Sequence, residues 1–453
     1  MGENETKGFT SKIGYVMAVA GSAVGLGNIW RFPYLAAKYG GGIFLLIYLL
    51  LAVTFGFSLL VSETAIGRKT GNGPIQAFIK LTHHKFPWGG WLNALIPMLI
   101  IPYYCVVGGW VCKYLFEYAM GNSAALLQND YFSNFMSSSV SPIIWLFIFI
   151  ALVAAVVVFG VQKGVERVSK ILMPSLVIVA LGLAIYTMTI PGAMEGVKYY
   201  ILPDFSKFTL MTVVSAMGQM FYSLSIGMGI LITYGSYMKK DTEMEKSISQ
   251  IEIMDTLIAF LAGLMIIPAV FVFSGGNPDS LQAGPSLMFI TMPKIFASMP
   301  FGQLVGLFFF LLVFFAALTS AISLMECCVA TIKEQFDIQR VKACIFMLVE
   351  VLILGIPCSL GFGILDYIKP LGMSIFDAFD FMTNSVMMPI SASYICFVIL
   401  KTIGLKQIID EVEMNGVFKR KAIYTFCMKY IVIPGLMIIL TSSILNALGM
   451  ISM

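Results

Sequence analysis

The sequence predicts an all-α polytopic membrane protein. Hydrophobic residues make up 59% of the 453-residue chain and charged residues 11%, whereas soluble domains contain about 25% charged residues. Eleven apolar runs are long enough to cross a bilayer as helices. The first and the sixth of these runs are interrupted by glycines and polar residues. Composition, run length and paired interruptions together predict a helical bundle with a central site.

The eleven predicted spans are numbered here as segments 1 to 11 in chain order. They cover residues 12–36, 41–68, 91–118, 142–160, 166–190, 212–236, 249–274, 305–332, 341–359, 372–400 and 424–449. Lysine and arginine gather in the alternate loops 69–90, 161–170, 237–248, 333–342 and 401–423. The opposite loop 119–141 contains neither residue type. The positive-inside rule therefore predicts a multi-pass protein of the inner (plasma) membrane with a cytoplasmic N-terminus.

Segment 1 contains Gly21, Gly25 and Gly27, followed by Asn28 and Arg31. Backbone that leaves helical geometry inside a bilayer must be buried in protein or line a cavity. Its freed carbonyls can bind a cation, and the positive end of a half-helix can face a carboxylate. Close helix packing through Gly21-x-x-x-Gly25 is an alternative. The polar residues at membrane depth favour a binding site.

A second interruption, 219–229, lies in segment 6, five segments after the first. Broken helices at equivalent positions of two halves indicate inverted repeats with substrate and ions bound between them. The sequence therefore predicts a single transporter domain over 1–453, with repeats at 1–190 and 212–400. Segment 11, at 424–449, lies outside the repeats.

The stretch 20–34 closely resembles the first helix of the neurotransmitter:sodium symporters. The match continues at 40–42, 63–68, 103–104, 163–167, 203–205, 218–219, 233–237, 289–293 and 315–320. Eleven segments are typical of the short bacterial branch, which includes leucine and aromatic amino-acid transporters. The resemblance implies sodium-driven uptake by alternating access across the lipid bilayer.

The resemblance also implies two sodium sites. One would use the carbonyls of Gly21, Val24 and Ala316 and the hydroxyls of Thr319 and Ser320. The other would use Ala23, Asn28, Ser223, Asp255 and the carboxylate of the substrate. Hydroxyls that bond only within their own helix are the alternative for the first set.

Asp255 departs from the family, in which this position is usually asparagine. Chloride-independent bacterial relatives usually carry a glutamate one helical turn later, where this chain has Ala259. We hypothesise that Asp255 is both a sodium ligand and the fixed negative charge that chloride supplies elsewhere, so that chloride is not required. The alternative is a carboxylate in ordinary solvent contact at the cytoplasmic end of segment 7.

The resemblance assigns the substrate class through Gly25, because amine-transporting relatives have an aspartate there. Glycine leaves room for a substrate that brings its own carboxylate, which Tyr104 would bind. The implied substrate-binding residues are Ser22, Ala23, Gly25, Leu26, Gly27, Ile100, Tyr104, Tyr222, Ser223, Ser225, Met228, Ser320, Ala321 and Leu324. Met228 replaces a phenylalanine and favours large hydrophobic or aromatic amino acids, with core filling as the alternative.

Gate residues also follow from the resemblance. Arg31 and Asp380 would form an outer charge pair that closes over the substrate and Tyr222. At the inner end, Phe9 stands for a family tryptophan and Glu334 for a family carboxylate. Thr6 stands where the family has the arginine that would pair with that carboxylate, so a differently arranged inner closure is expected.

The sequence also argues against other functions. No nucleophile–base pair, zinc-binding HExxH or phosphate loop indicates an enzyme. The net charge of +4 comes from loop lysines and does not indicate nucleic-acid binding. An amine or osmolyte carrier and an amino-acid sensor on the same fold are the alternatives to amino-acid symport. The oligomeric state is left open.

Overall fold

The computed structural model describes residues 8–84, 87–273 and 284–450. Helices joined by short loops make up these residues, and no β-strand forms among them; one isolated bridge joins Gly41 to Pro203. A helix satisfies its backbone hydrogen bonds within one segment, as a bilayer requires. The predicted all-α membrane fold is confirmed.

Nine helices of the described chain are long and apolar enough to cross a membrane. They are Gly42–Thr70, Trp88–Ala119, Ser141–Val158, Val161–Met188, Met244–Phe273, Gly302–Phe336, Arg340–Leu360, Ile375–Ile403 and Lys421–Ala447, and they correspond to segments 2 to 5 and 7 to 11. Segment 1 is a pair, Lys12–Ala23 and Gly27–Lys38, bent by 56°. Segment 6 is divided into Leu210–Ser223 and Ile230–Ser236. Both predicted interruptions are therefore real breaks.

Two predicted cytoplasmic loops are largely helical. Segment 5 begins at Val161 rather than at 166, which removes most of the loop predicted at 161–170. Segment 8 runs to Phe336 and segment 9 starts at Arg340, so little remains of the loop at 333–342. Hydropathy marks where apolar residues stop, whereas helical hydrogen bonding continues through the charged residues that follow.

Shorter helices cover the remaining connections. They are Pro74–Thr82, Tyr131–Ser137, Ala193–Ile201, Leu287–Ser298 and Leu405–Glu413. Leu405–Glu413 is joined to segment 2 by a buried ion pair in which Arg68 Nε donates to Glu411 Oε1 at 2.9 Å. The connections therefore pack against the bundle as ordered structure.

Segments 3 and 8 form the centre of the bundle. Their most apolar stretches are 83% and 72% buried, compared with 33% for segment 5 and 39% for segments 4, 9 and 11. The outer segments therefore present more of their apolar surface to the surrounding lipid. The broken segments 1 and 6 carry the site that follows.

Glycines allow segment 6 to approach segment 2 closely. A Cβ atom at Gly67 would lie 1.9 Å from the carbonyl oxygen of Ile232. A Cβ atom at Gly235 would lie 2.5 Å from the carbonyl oxygen of Thr64. Because no side chain fits in either place, these two glycines fix the position of the second half of segment 6.

Candidate functional site

Segment 1 breaks at Val24 and Gly25, which lie between its two helices. Val24 has a φ of −74° and a ψ of 93°, outside helical geometry. Carbonyls at a helix end lack the N–H group four residues ahead, so their oxygens are available to other partners. The close-packing interpretation of Gly21 also holds, since a Cβ there would lie 3.1 Å from Cβ of Thr319.

The break in segment 6 spans 224–229 and contains three residues with positive φ. These are Ser225 at 55°, Gly227 at 80° and Gly229 at 75°. Glycine adopts this region without strain, whereas a serine does so only where its surroundings hold it. Ser225 Oγ donates to the Ser22 carbonyl at 3.1 Å, and Ser22 Oγ donates to Ser225 Oγ at 3.2 Å. The two breaks are thus bonded to each other.

Glu63 of segment 2 supports the second break from behind. Its Oε1 accepts a hydrogen bond from the backbone N–H of Gly227 at 2.7 Å, and the side chain is fully buried. An N–H freed by unwinding is satisfied in this way. Glu63 therefore has a structural role, because it stabilises the unwound backbone of segment 6.

A cavity of about 40 Å³ lies between the two breaks. It is lined by Ser22, Ala23, Gly25, Leu26, Gly27, Asn28, Ile100, Tyr104, Tyr222, Ser223, Ser225, Met228, Ile230, Ser320, Leu324 and Asn384. Ile230 and Asn384 line it without having been predicted, because no motif marks them. Ala321 does not line the cavity. Ser320 and Leu324 are four residues apart and lie on the helix face toward the cavity, whereas Ala321, one residue after Ser320, points away from that face.

The cavity wall beside Gly25 is polar and lies close to the glycine. A Cβ atom at Gly25 would lie 2.9 Å from Ser320 Oγ and 3.3 Å from Tyr104 Oη. The Tyr104 hydroxyl is buried and makes no hydrogen bond at normal geometry in the described chain. A buried donor without a partner is costly. A ligand oxygen placed here would satisfy it.

The rest of the cavity is mainly apolar. Ile100, Met228, Ile230 and Leu324 contribute hydrocarbon or thioether surface, and no charged side chain lines the cavity among the described residues. Such a lining disfavours ligands with a charged side chain. The position of Met228 on the cavity wall favours ligand contact over core filling for this residue.

Asp255 lies behind the cavity, and its carboxylate accepts hydrogen bonds from three other segments. Its Oδ1 accepts from Asn28 Nδ2 at 2.7 Å and from Ser223 Oγ at 2.8 Å, and its Oδ2 accepts from Tyr48 Oη at 3.1 Å. The residue is 1% exposed. The carboxylate therefore joins segments 1, 2, 6 and 7.

The solvent-contact interpretation of Asp255 is wrong. Segment 7 starts at Met244 rather than at 249, so the carboxylate lies well inside the helix Met244–Phe273 and faces other segments. Tyr48 was not predicted as its partner. A tyrosine in an apolar run needs a hydrogen-bond partner for its hydroxyl, which is the signal that could have identified it.

A second group of oxygens lies where segment 1 meets segment 8. Ser320 Oγ is 3.3 Å from the Gly21 carbonyl oxygen, 3.2 Å from that of Ser22 and 3.3 Å from that of Val24. One hydroxyl has a single proton, so it cannot satisfy three acceptors. This excess of neutral oxygen acceptors suits a small cation.

The hydroxyl of Thr319 lies at the same group of oxygens but has different hydrogen-bond partners from that of Ser320. Its Oγ1 donates to the carbonyl oxygens of Phe315 at 3.0 Å and Ala316 at 3.2 Å. The threonine hydroxyl thus bonds within its own helix, as the alternative interpretation proposed, whereas the hydroxyl of Ser320 reaches across to segment 1. The structure brings the oxygens of Thr319, Ala316 and Ser320 to one side of segment 8.

A larger vestibule of about 430 Å³ lies on the side of the cavity away from the N-terminus, and Arg31 and Asp380 both line it. Arg31 and Asp380 are both within the described residues, and the ion pair expected between them is not formed. Cζ of Arg31 lies 5.3 Å from the centroid of the Tyr222 ring instead. Oδ1 of Asp380 accepts from Asn384 Nδ2 at 2.6 Å. Each charged group therefore has another partner in this structure.

Four residues form the neck between the cavity and the vestibule, since they line both. They are Leu26, Tyr104, Tyr222 and Asn384. Tyr222 lies against the backbone of Gly27, where a Cβ atom would be 2.7 Å from Cε1 of the ring. The ring therefore lies at the passage that a ligand must cross.

The opposite end of the site is packed by aromatic rings. Phe9 is 1% exposed and makes edge contacts with Tyr15, Tyr234 and Tyr237 at centroid distances of 5.6, 5.6 and 6.1 Å. Its backbone N–H donates to the Tyr237 carbonyl at 3.1 Å. Thr6 lies outside the described residues. Phe9 thus closes this end by packing.

Glu334 does not contact the described part of the N-terminal segment. It accepts hydrogen bonds from the backbone N–H of Gly73 at 3.0 Å and from the side chain of Asn72. The carboxylate is bound by the loop after segment 2, and its role in an inner gate stays a prediction. A buried carboxylate of segment 8, Glu326, pairs with Arg340. A carboxylate inside apolar segment 8 was the available signal for Glu326.

Comparisons with known proteins place this chain among transporters. The model of the sodium:neurotransmitter symporter family matches residues 6–126 and 130–451. The chain is 37% identical to the sodium-dependent transporter YhdH of Bacillus subtilis, over the full length of both. It is 34% identical to a sodium-dependent transporter of Haemophilus influenzae, covering 85% of this chain and 86% of that protein.

A more distant relative is the sodium- and chloride-dependent GABA transporter 2 of Rattus norvegicus, 29% identical over 85% of this chain and 71% of that protein. Among solved structures, the chain is similar to the crystal structure of MhsT in complex with L-phenylalanine. The TM-score is 0.87 and the identity 35%, covering 97% of this chain and 100% of that one.

Proposed function

The chain belongs to the sodium:neurotransmitter symporter family of transporters, and on this premise we propose that it takes up a hydrophobic or aromatic amino acid together with sodium. Its class as a multi-pass, sodium-dependent transporter, not an enzyme, follows from the family. The observation that carries the substrate proposal is the buried Tyr104 hydroxyl without a partner, on the cavity wall beside Gly25 and Ser320. An amino-acid carboxylate bound in the cavity would accept the Tyr104 proton.

Coupling to sodium follows from the surroundings of this cavity. Asn28 and Ser223 line the cavity and also bond to the carboxylate of Asp255. A sodium ion held by Asp255, Asn28, Ser223 and the Ala23 carbonyl would also contact the carboxylate of the substrate. Ion and substrate then raise each other's affinity by the same factor, because linkage is reciprocal.

The substrate ammonium would lie against the carbonyl dipoles of the two breaks, with Ser225 nearby. Its side chain would extend along Ile100, Met228 and Leu324. Met228 has a flexible thioether that re-packs around ligands of different shape. The solved structure of MhsT contains L-phenylalanine, which supports an aromatic amino acid as one substrate.

A second sodium ion would bind where Ser320 faces the carbonyls of Gly21 and Val24, with Thr319 and Ala316. Neutral oxygens alone suit a monovalent ion. The ion would hold segment 1 against segment 8, so its release would free segment 1 to move. This arrangement supports alternating access with two sodium sites.

Chloride is not required in this proposal. Asp255 carries a fixed negative charge beside the proposed sodium ion, and Ala259 offers no ligand one turn further along segment 7. The GABA transporter 2 relatives are sodium- and chloride-dependent, and they serve as the contrasting case. The N-terminus lies in the cytoplasm in this proposal, as the distribution of loop lysines indicates.

The test is uptake of radiolabelled tryptophan, phenylalanine, leucine, glycine and GABA into proteoliposomes, with inward sodium or potassium gradients. Accumulation of tryptophan, phenylalanine or leucine with sodium alone supports the proposal. Accumulation of GABA alone would replace it by an amine or osmolyte carrier. Binding without accumulation would indicate a sensor.

A matched pair of variants links the result to the site. Gly25→Asp places a carboxylate against Ser320 and Tyr104, so it should abolish amino-acid uptake. Ser139→Asp is the control, because it adds the same charge at an exposed position of the loop 119–141, remote from the cavity lining. Equal uptake by wild type and Gly25→Asp would contradict the assignment of the carboxylate position.

A further inference from the structure

Asn384 belongs to the neck of the site, yet its amide is bonded to the outer gate. It lies four residues after Asp380 on segment 10, one helical turn away. Its Nδ2 donates to Asp380 Oδ1 at 2.6 Å and to Tyr103 Oη at 2.9 Å. The same side chain therefore touches the gate carboxylate and lines the substrate cavity.

The donor and acceptor pattern fixes the orientation of this amide. A carboxylate only accepts hydrogen bonds, so the group facing Asp380 must be the NH2 end of Asn384. The Thr383 hydroxyl donates to the Phe379 carbonyl at 2.7 Å and lies 3.1 Å from Tyr103 Oη. The Tyr103 proton then goes to Thr383, and Tyr103 accepts the second amide proton. Both amide protons are thus used.

One acceptor is left over in this network. Oδ1 of Asn384 is buried and has no hydrogen-bond partner among the described residues. The amide therefore keeps an unsatisfied oxygen while its NH2 group holds the gate carboxylate. Because a buried acceptor without a donor costs free energy, an arrangement that gives Oδ1 of Asn384 a donor would be favoured.

The two gate charges each have a substitute partner in this structure. Asp380 is bonded to Asn384 within its own segment, and Arg31 lies over the ring of Tyr222. An ion pair between segments 1 and 10 must compete with the contact inside segment 10. The hydrogen bond to a charged acceptor is the stronger kind, so it stabilises the open arrangement.

We propose that Asn384 is a positioning residue of the outer gate, whose amide holds Asp380 on segment 10 in the open state and must release or share it for closure onto Arg31. The proposal rests on the proposed alternating access. Asn384 acts through Asp380, and its place in the neck lets a bound substrate bias the same amide.

The test measures how open the vestibule is with a cysteine reporter. Ser443 lines the vestibule, and all eight native cysteines are buried, so Ser443→Cys supplies a selective thiol for labelling in liposomes. In sodium without substrate, Asn384→Leu should slow labelling about two- to fivefold, because the lost hydrogen bond favoured the open state. Asn384→Ala should act in the same direction.

Ser385→Ala is the matched control, since Ser385 also lines the vestibule but makes no contact with the Asp380 carboxylate. It should label at the rate of the parent. In an Asp380→Ala background, Asn384→Leu should have no further effect. The proposal would be overturned if Asn384→Leu were labelled as fast as the parent or faster. It would also be overturned if Asn384→Leu slowed labelling equally in the Asp380→Ala background.

The outcome is independent of the substrate identity. If sodium does not change labelling of the parent reporter, the sodium-coupled function is in doubt, while the comparison between Asn384→Leu and Ser385→Ala still decides the role of Asn384. Slower dissociation of radiolabelled L-phenylalanine from Asn384→Leu than from Ser385→Ala should accompany the slower labelling. Faster dissociation would contradict the proposal.

Discussion

The two candidate cation positions are built on different principles. The position at Asp255 has a carboxylate from segment 7 that already accepts three hydrogen bonds from Asn28, Ser223 and Tyr48. The position at Ser320 has only hydroxyl and carbonyl oxygens, and its contacts run from segment 8 to segment 1. One position is charged and held by four segments, and the other is neutral and joins two.

The difference concerns what each position needs before an ion arrives. The carboxylate of Asp255 is oriented by the protein itself, so its charge is available whatever segment 8 does. The neutral position exists only while the broken part of segment 1 lies against Ser320. We therefore expect the charged position to determine ion affinity and coupling to substrate, and the neutral position to report the conformation of segment 1.

Asp255→Asn should have the largest effect. A unit charge about 4 Å from sodium contributes about 4 kcal/mol at an effective dielectric of about 20, and the amide oxygen recovers part of it. We expect the sodium concentration for half-maximal uptake to rise about 100-fold. Sodium-dependence of uptake in proteoliposomes measures it.

Asp366→Asn is the control for that substitution, because Asp366 is exposed and pairs with Lys369 in the same loop. It should leave the sodium dependence unchanged. An Asp255→Asn variant with wild-type sodium dependence would remove the distinction between a charged and a neutral position.

Ser320→Ala should have the next largest effect. It removes one neutral ligand together with the hydroxyl that reaches the carbonyls of segment 1. At about 1 kcal/mol for such a contact, sodium affinity should fall about five- to tenfold. Ser323→Ala, on the same helix, is the control: it should lower the thermal stability by orphaning the Tyr234 hydroxyl without changing the sodium dependence. The reverse pattern would place the ion elsewhere.

Thr319→Val should weaken sodium binding less, by about two- to fivefold. Its hydroxyl bonds to its own helix at Phe315 and Ala316, so no contact between segments is lost. Thr331→Val is matched, because the Thr331 hydroxyl also bonds within segment 8, to Cys327 at 2.8 Å. A loss for Thr319→Val larger than that for Ser320→Ala would reverse the order proposed here.

Replacing chloride by gluconate should have the smallest effect, namely none on wild-type uptake. Asp255 supplies the negative charge inside the protein, so no anion has to bind. Wild-type uptake that rises with chloride, and loses this response in Asp255→Asn, would overturn the hypothesis. Parallel measurement with potassium gluconate controls for the membrane potential.

Much of this architecture could be predicted from the sequence. The bilayer requires helices of spanning length, so apolar runs marked every segment, and glycines among polar residues marked both breaks. The long motif around Gly25 identified the family. Thirteen of the fourteen residues expected at the substrate line the cavity, because residues of one motif share one face or one break.

Partnerships between distant segments were decided by the tertiary structure alone. Tyr48 on Asp255, Arg340 on Glu326 and Asn384 on Tyr103 join side chains that no local motif connects. The contact that Arg31 makes is a further example. The sequence led us to expect an ion pair with Asp380, whereas in the structure Arg31 lies over the ring of Tyr222. Local pattern fixes which groups are present in the membrane, whereas the packing of the segments determines which donor meets which acceptor.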